Sequence, residues 1–290
     1  MKAAIPIYDI CSLTQRQDEL LISRFAPYLK SHRNLHRAHK HSFYHLVFFT
    51  SGGGSQTIDF QQVPVRPFQI YFMIPGQVHN WAFTGDVDGY IINFSVPFFQ
   101  SFLLKANYLE DFPFFTGIVD DSVIDVPAKA QQQIIALFEQ LIHETEEPKP
   151  LADDMVRSLM LQLFIGIARL GSWVNKTIPP YNYTLLRSFQ KLIERNYTAL
   201  RLPKEYAELL YITPNHLNAL CNDVLGIPAG EVIRNRIALE AKRLLINNDL
   251  TIQEIASQLN FADNSYFTRF FKKQVGTTPE EFRKTTNSHE

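Results

Sequence analysis

The sequence lacks several features that would place it in a specialised class of protein. It has only two cysteines, Cys11 and Cys221, in 290 residues, which are too few and too far apart for a disulfide framework or a cysteine metal cluster. Such scarcity is typical of a reducing compartment. No apolar run approaches the roughly 18 residues that a membrane-spanning helix needs. The first residues also lack the apolar core and cleavage site of a signal peptide, so we expect a cytoplasmic protein with no membrane partner.

The sequence also lacks the strong positive charge of many nucleic-acid-binding proteins. Its formal net charge at pH 7 is −1, from 28 Lys and Arg against 29 Asp and Glu. The charge is unevenly distributed, since residues 181–290 hold 14 basic and 12 acidic side chains (net +2) and residues 1–180 hold 14 and 17 (net −3). This asymmetry is small, but it has the sign expected if the C-terminal part binds DNA.

The clearest pattern is a pair of short helices near the C-terminus. Residues 255–259 carry the apolar stripe of a first helix, and Asp263 is suited to cap the N-terminus of a second. In the second helix Phe267 and Phe271 lie on the inner face, together with Phe270 and Gln274. The outer face carries polar and basic side chains: Asn264, Ser265, Thr268, Arg269, Lys272 and Lys273. This arrangement predicts a helix-turn-helix whose second helix enters the DNA major groove.

The same pattern occurs a second time, earlier in the chain. Residues 207–234 align with residues 256–283, so that Ala207 matches Ala256 and Gly226 matches Gly276. In the first copy the side chains expected to face DNA are Asn215, His216, Asn218 and Asn222. An ordinary amphipathic helix pair with a solvated polar face is the alternative interpretation, and the repetition argues against it. We predict helix-turn-helix units at about 203–226 and 252–276.

A single helix is predicted between the two copies, from Pro228 to Asn247. Twenty residues at about 1.5 Å each give about 30 Å, and successive major-groove faces of DNA lie about 34 Å apart. One chain could therefore place two reading helices in adjacent grooves.

These residues resemble the signature of the AraC/XylS family of bacterial transcription regulators. The matching positions are Ala241, Leu244, Leu245, Ile255, Ala256, Phe261, Ser265, Tyr266, Phe267, Arg269, Phe271, Lys272, Lys273, Gly276, Pro279, Phe282 and Arg283. The resemblance implies a sequence-specific DNA-binding regulator, a homodimer, and RNA polymerase as a partner if the protein is an activator. It departs from the family at Asn260, where glycine is usual. It departs again at residues 221–223, which lack the lysines of the second copy, so we expect the second copy to dominate DNA affinity.

The N-terminal half has the pattern of an all-β fold. Short apolar and alternating segments between residues 33 and 127 are separated by turn signals, among them Ser51-Gly52-Gly53-Gly54 and Pro75-Gly76. The spacing of His39, His41 and His45 resembles the first motif of the cupin barrels, with His45 in place of the usual glutamate, and residues 75–79 resemble the second. AraC-type regulators commonly carry such a barrel as an effector-binding domain. The resemblance therefore places a small-molecule effector among His39, His41, His45, Tyr71, His79 and Trp81.

The four histidines allow more than one interpretation. They could bind Fe, Ni, Zn or Cu, but the glutamate of the cupin motif is missing, and we expect no metal and no cofactor. They could also close the barrel mouth through hydrogen bonds, or line a pocket for an organic effector, which is the interpretation we favour. The alternatives to an effector-controlled regulator are a metal-dependent cupin enzyme or metal sensor, and a regulator without a ligand. We expect no enzymatic activity.

Two helices are predicted after the barrel, at about 129–170. The second is apolar on more than one face and needs two packing partners, which favours a homodimer interface. The predicted fold is therefore two-domain α+β: residues 1–170 form a cupin-like effector and dimerisation domain with its barrel at about 30–127. Residues 171–183 form a linker, and residues 184–290 form an all-α tandem helix-turn-helix domain.

Overall fold

The structure, a computed structural model, describes residues 6–13, 19–32, 35, 38–100, 102, 108–170, 180–246 and 250–288. The chain divides into two compact units, one within residues 6–175 and the other within residues 176–290. The first unit is built on a β-sheet and the second is helical, which confirms the two-domain α+β fold. Among the residues described, no helix combines the length and apolar character that crossing a membrane requires.

The described part of the N-terminal unit contains one eight-stranded sheet. Its strands are β1 (Ile7–Tyr8), β2 (Leu20–Arg24), β3 (His39–His41), β4 (Tyr44–Ile58), β5 (Gln61–Pro64), β6 (Gln69–Met73), β7 (Val78–Phe94) and β8 (Val123–Asp125). The main path runs β1-β3-β7-β4-β6-β8, with β2 paired to β7 and β5 paired to β4. The two longest strands, β4 and β7, are thus central to the sheet.

Strands β4 and β7 pair over two segments joined by a bend. Residues Tyr44–Phe49 of β4 pair with Phe94–Gly89, and Gly53–Ile58 pair with Thr84–His79, with register shifts between the two. A Cβ on Gly54 would lie 2.3 Å from the carbonyl oxygen of Ala82, and one on Gly89 would lie 2.0 Å from that of Phe48. The glycines after Thr50 therefore do not end the strand, as their turn signal predicts, but allow it to bend against its neighbour.

The bend rolls the sheet so that its inner face encloses a core. His45 lies opposite Asn93 and His79 lies opposite Ile58, far apart along the strands, yet their ring centroids are only 5.4 Å apart. Phe25 of helix α1 (Phe25–Ser31) packs edge-on against Phe49 and Trp81 in this interior. The inner face is thus packed into a buried, aromatic-rich core.

The outer face of the same strands packs on helices. The α-helices described in this unit after α1 are α2 (Val96–Gln100), α3 (Val119–Ser122), α4 (Ala128–Glu146) and α5 (Ala152–Ala168). Phe48 and Tyr90 stack on Phe138 of α4, at centroid distances of 5.7 and 4.8 Å. Because alternate residues of β4 enter the barrel interior and the helix interface, the segment Leu46–Phe49 is apolar at every position.

Two boundaries differ from the sequence-based expectation. The sheet begins well before residue 30, because β1 pairs with β3 and β2 pairs with β7. These strands are short, and their partners lie far away in sequence, so local patterns gave little sign of them. Residues 171–179 of the expected linker lie outside the described residues, and residues 180–183 already belong to a helix.

The described part of the C-terminal unit consists of helices α6 (Pro180–Asn196), α7 (Pro203–Leu209), α8 (Pro214–Leu225), α9 (Ala229–Leu245), α10 (Ile252–Gln258), α11 (Asn264–Val275) and α12 (Pro279–Ser288). Helix α9 lies between the two helix-turn-helix units and contacts α7, α8, α10, α11 and α12. Its Ile233, Ile237 and Ala241 are buried in a core shared with Leu217 of α8 and Phe267 of α11. Of the single helix predicted for residues 228–247, Asn247 lies outside the described part of the chain.

Candidate DNA-binding face and effector site

The two predicted reading helices, α8 and α11, have well-defined ends. The Thr213 side chain accepts a hydrogen bond from the backbone N–H of His216, and the Asp263 side chain accepts one from Tyr266. Each helix ends at a glycine with positive φ, 73° at Gly226 and 90° at Gly276. N-terminal capping and left-handed glycine caps fix where each helix starts and stops, and so fix which side chains its first turns present.

Helix α11 presents a polar and basic surface opposite its core face. Phe267 and Phe271 are fully buried. Of the residues predicted to contact DNA, Thr268 is half-buried, and the exposed ones are Asn264, Ser265, Arg269, Lys272 and Lys273. The guanidinium of an exposed Arg can bind guanine through two hydrogen bonds, and lysines pair with phosphates. The surface therefore has the chemistry of a major-groove reader.

Helix α8 presents a smaller and less basic surface. Asn215, His216 and Asn222 are exposed. Asn218, predicted to face DNA, is instead half-buried, and its side-chain oxygen accepts a hydrogen bond of 3.0 Å from the backbone N–H of Ala229. This bond satisfies a free donor at the start of α9, so Asn218 joins the reading helix to the central helix.

The turns of the two units share an unusual backbone conformation. Tyr211 and Asn260 occupy equivalent positions, and each has a φ of 56°. Asn tolerates this left-handed region better than most residues, and the Asn260 side chain also donates a hydrogen bond to the Thr198 carbonyl at 3.2 Å. Tyr211 is 96% exposed, so its ring adds accessible surface beside the first unit. Tyr211 is not among the residues that the sequence predicts to contact DNA. Tyr266, 51% exposed, likewise adds accessible surface on α11.

Arg201 joins the segment before α7 to the turn of the second unit. Its guanidinium donates to the carbonyl oxygens of Leu259 and Asn260 and lies 4.1 Å from the ring centroid of Phe261. The contact closes the C-terminal end of α10, where carbonyls have no partner within the helix. Nothing in the local sequence indicates this contact, because its partners are separated by nearly sixty residues.

In the N-terminal unit the six predicted effector residues come together inside the barrel. None is more than 4% exposed, and they are His39, His41, His45, Tyr71, His79 and Trp81. His39 and His41 belong to β3, and His79 and Trp81 to β7, whereas His45 and Tyr71 lie on the paired strands β4 and β6. The roll of the sheet thus brings two distant segments of sequence into one polar cluster.

His45 is held in a chain of hydrogen bonds. Its Nδ1 lies 2.7 Å from Asn93 Oδ1 and its Nε2 lies 3.0 Å from the Tyr71 hydroxyl. Because the amide oxygen only accepts, Nδ1 carries the proton and Nε2 accepts from Tyr71. The Tyr71 oxygen in turn accepts from Trp81 Nε1 at 3.1 Å. Asn93 completes this chain, and no local pattern in the sequence points to it, because it lies 48 residues from His45.

The other three histidines contact one another. The ring centroids of His39 and His79 are 4.0 Å apart, those of His41 and His79 are 4.7 Å apart, and those of His39 and His41 are 4.8 Å apart. One nitrogen from each lies within 4.8 Å of the others, so among the described residues these three form a group that could hold a metal ion.

All the ring nitrogens in this cluster are in a strongly desolvated setting. Burial lowers the pKa of His45 to about 3 and holds the pKa values of His41 and His79 well below their ordinary value. Neighbouring imidazoles lower them further, because two adjacent positive charges would repel. The rings of His41, His45 and His79 are therefore neutral at pH 7, and each has one nitrogen lone pair.

Two sequence families match the two units. The AraC-like ligand-binding domain matches residues 24–164, and a helix-turn-helix domain matches residues 206–285. Together these account for both the barrel with its helices and the tandem reading helices. The chain belongs to the AraC family of transcription regulators.

Two relatives that match most of the chain are themselves named as transcription regulators. YfiF of Bacillus subtilis (strain 168), an HTH-type transcriptional regulator, is 24% identical over 249 residues, which are 84% of this chain and 78% of YfiF. The HTH-type transcriptional activator RhaR of Escherichia coli (strain K12) is 21% identical over 248 residues, which are 84% of this chain and 86% of RhaR. Among solved structures, ToxT of Vibrio cholerae is 13% identical over 91% of this chain and 97% of its own, with a TM-score of 0.44.

As an AraC-type protein, the chain is a DNA-binding transcription regulator with an effector-binding domain. The family's two functions lie in separate compact units, which confirms the function inferred from the sequence. Asn260, where the family usually has glycine, adopts the left-handed conformation for which glycine is favoured.

Proposed function

We propose that this AraC-type regulator reads a two-part operator with α8 and α11 in adjacent major grooves. The observation that carries the proposal is the exposed polar face of α11, with Arg269 at its centre and Lys272 and Lys273 in its last turn. Asn215 and His216 offer the corresponding contacts in the first unit. The central helix α9 has 17 residues and contacts both reading helices, so it joins them within one unit.

Within this proposal the roles of the α11 side chains differ. Arg269 reads a base edge, and Asn264, Ser265 and Thr268 supply further contacts near it. Lys272 and Lys273 bind phosphates, which raises affinity for every sequence alike. Helix α8 contributes weaker contacts, because Asn222 and Asp223 stand where α11 has its lysines.

The effector binds in the polar cluster of the barrel interior. A ligand that binds one conformation of the protein better than another shifts the population toward it. The barrel wall is joined to α4 by Glu139, whose carboxylate contacts both Arg24 and the Tyr90 hydroxyl. Changes at the inner face can therefore reach the helix pair through short polar contacts.

Helix α5 supports a homodimer. Its inner face is buried at Met160 and Phe164, whereas Leu151 and Met155 at its start are 77% and 51% exposed. A second copy of the chain would cover these apolar side chains, and linking two chains on one operator raises the effective concentration of each. RNA polymerase is a further partner if this protein activates, as RhaR is named to do. The protein acts in the bacterial cytoplasm, where its DNA lies, and has no enzymatic activity.

The proposed base-reading role of Arg269 is tested with the Arg269→Ala variant of the full-length protein. An operator is first selected from random duplex DNA, and binding is then followed by fluorescence anisotropy at a stated salt concentration. Loss of a bidentate base contact should weaken the binding free energy by about 1–3 kcal/mol and relax selectivity at one base position. A uniform loss over all sequences would show that Arg269 binds backbone and would overturn its assignment.

Two further variants serve as controls for charge. Lys272→Ala removes the same charge from the same helix and should weaken binding to all DNA sequences equally. The slope of log affinity against log salt concentration should fall by about 1. Lys149→Ala removes a positive charge from an exposed loop of the barrel unit and should leave both affinity and selectivity unchanged.

A further inference from the structure

The barrel interior contains two kinds of histidine. Both ring nitrogens of His45 have hydrogen-bond partners, Asn93 and Tyr71. In contrast, neither nitrogen of His41 nor of His79 has a hydrogen-bond partner among the described residues, although both side chains are 2% exposed. Buried polar atoms are nearly always satisfied, so these four nitrogens indicate a bonding partner that the protein itself does not supply.

The three histidines around these nitrogens are arranged on two paired strands. His39 on β3 lies directly opposite His79 on β7, and His41 follows on the same face of β3, two residues later. Their potential ligand nitrogens all lie within 4.8 Å of one another. Metal–nitrogen bonds of about 2.0–2.1 Å at tetrahedral angles place such nitrogens roughly 3.3 Å apart, so small ring rotations would bring them into coordination distance.

The chemistry of the cluster distinguishes among ligands. Ring centroids 4.0–4.8 Å apart mean that the three rings contact one another, which favours a single ion over an organic molecule as the group that they share. His41 and His79 each offer buried nitrogens without a hydrogen-bond partner among the described residues, and an imidazole nitrogen of this kind can coordinate a metal. An all-imidazole set suits Zn²⁺, Ni²⁺, Cu²⁺ or Fe²⁺, whereas Mg²⁺ and Ca²⁺ require oxygen ligands.

We propose that His39, His41 and His79 bind one divalent transition-metal ion inside the barrel, and that this ion is the effector or the anchor for it. Three protein ligands leave a coordination position open to water or to a small donor molecule. His45 stays outside the coordination sphere and holds the adjacent wall through Asn93 and Tyr71. The regulatory part rests on the proposed function, because it requires the barrel to control DNA binding.

The test uses full-length protein stripped with a chelator and then titrated with Zn²⁺, Ni²⁺, Cu²⁺ or Co²⁺, one at a time, with Mg²⁺ as the non-binding control. Calorimetry gives stoichiometry and affinity, and the visible absorption of bound Co²⁺ reports its geometry. We expect one ion per chain. His41→Ala should lower the affinity at least about 100-fold, since even the outer partners of metal ligands are worth 10–100-fold.

Two histidine variants make the result specific. His143→Ala removes an exposed histidine of α4 and should bind the metal as the parent protein does. His32→Gln changes a half-buried histidine of the same unit that is not a proposed ligand, and it should retain the Co²⁺ spectrum. Circular dichroism in chelator shows whether each variant is folded. If His41→Ala does not fold, His79→Gln is measured in its place.

Equal affinity in the parent protein and His41→Ala, or no ion bound by either, would overturn the site. The regulatory part is tested separately by measuring operator affinity with and without the bound metal. Coupling is reciprocal, so a metal that raises DNA affinity tenfold must itself bind tenfold better to the DNA complex. Metal binding with unchanged DNA affinity would leave the site standing and remove its role as effector. If the protein bound metal as expected but bound no operator DNA, only the proposed function would be contradicted.

Discussion

The two helix-turn-helix units have similar interiors and different surfaces. Leu217 of α8 and Phe267 of α11 occupy matching positions, and both are fully buried. At the C-terminal ends of the same helices, Asn222 and Asp223 stand where the second unit has Lys272 and Lys273. A common core therefore supports both reading helices, and we expect the outer side chains to decide how strongly each one binds DNA.

The largest effect is expected from the shared core. Phe267→Ala should destabilise the C-terminal unit by about 3–5 kcal/mol and Leu217→Ala by about 2–5 kcal/mol, because each leaves a cavity in a packed interior. The free energy of unfolding is measured by urea denaturation of the full chain. If only one of the two substitutions destabilised the unit, the two interiors would not be equivalent.

The next effect concerns the surface charge that separates the units. The double substitution Asn222→Lys and Asp223→Lys gives α8 the lysines of α11. Each new phosphate contact should steepen the slope of log affinity against log salt concentration by about 0.9, so the two together should steepen it by about 2. Removing Lys272 and Lys273 together should reduce the slope by a similar amount. The slope of log affinity against log salt concentration measures both.

One result would contradict this expectation about the charge at the end of α8. If the added lysines changed neither affinity nor slope while the loss of Lys272 and Lys273 did, the end of α8 would not lie near phosphates. The first unit would then contact DNA only through the N-terminal part of its helix, at Asn215 and His216.

A smaller effect is expected at the turns. Tyr211→Gly relieves a left-handed conformation that costs a non-glycine residue about 1–2 kcal/mol. Glycine adds flexibility to the unfolded chain that costs about 0.5–1 kcal/mol, so a net gain of about 0.5–1 kcal/mol should remain. Asn260→Gly has less strain to relieve and loses the hydrogen bond to Thr198, a loss of about 0.5–1.5 kcal/mol.

Thermal and urea unfolding of the two glycine variants should therefore shift in opposite directions. The comparison is direct because the two residues have the same φ of 56°. A destabilised Tyr211→Gly variant would show that the tyrosine ring has stabilising contacts despite its exposure.

The smallest effect is at the start of α10. Thr251 and Glu254 form a reciprocal capping box, whereas the first unit has Leu202 at the position of Thr251. The backbone N–H of Thr251 donates to Glu254 and lowers the pKa of that carboxyl group. The stabilisation is therefore complete above the unfolded pKa, about 4.5, and is lost as the pH falls below it.

Glu254→Gln provides the matched control for this titration. Glutamine still accepts the hydrogen bond at this position of a capping box but does not titrate, so the variant should show a slightly flatter dependence of stability on pH between about 5 and 3. An unchanged slope would mean that the carboxyl group has the same pKa in the folded and unfolded chain.

The sequence was informative wherever structure depends on near neighbours. The helix-turn-helix pattern depends on the 3.6-residue period and on capping residues such as Asp263, both of which can be read within a few residues. The barrel motifs likewise placed all six interior residues together, because alternation along a strand determines which side chains share a face. The turn predicted at the glycines after Thr50 is wrong, since a glycine that allows a turn also allows a bent strand.

The roles of individual side chains were less predictable. Asn218 has the polar character of a reading residue, and only the position of α9 shows that its amide caps another helix. Arg201 and Asn93 have partners in distant segments, so no local pattern could reveal them. His45 and His41 are similar in sequence, yet one is satisfied by hydrogen bonds and the other is not.

The sequence by itself therefore determined the two-domain architecture, the family, and the set of side chains available for DNA and effector binding. Only the tertiary structure decided which of those side chains are free to act. The reason is physical: period and capping are local properties of the chain, whereas hydrogen-bond satisfaction depends on strands and helices that meet only after the sheet has rolled and the helices have packed. The division of four histidines into one satisfied ring and a cluster of three arises at that step.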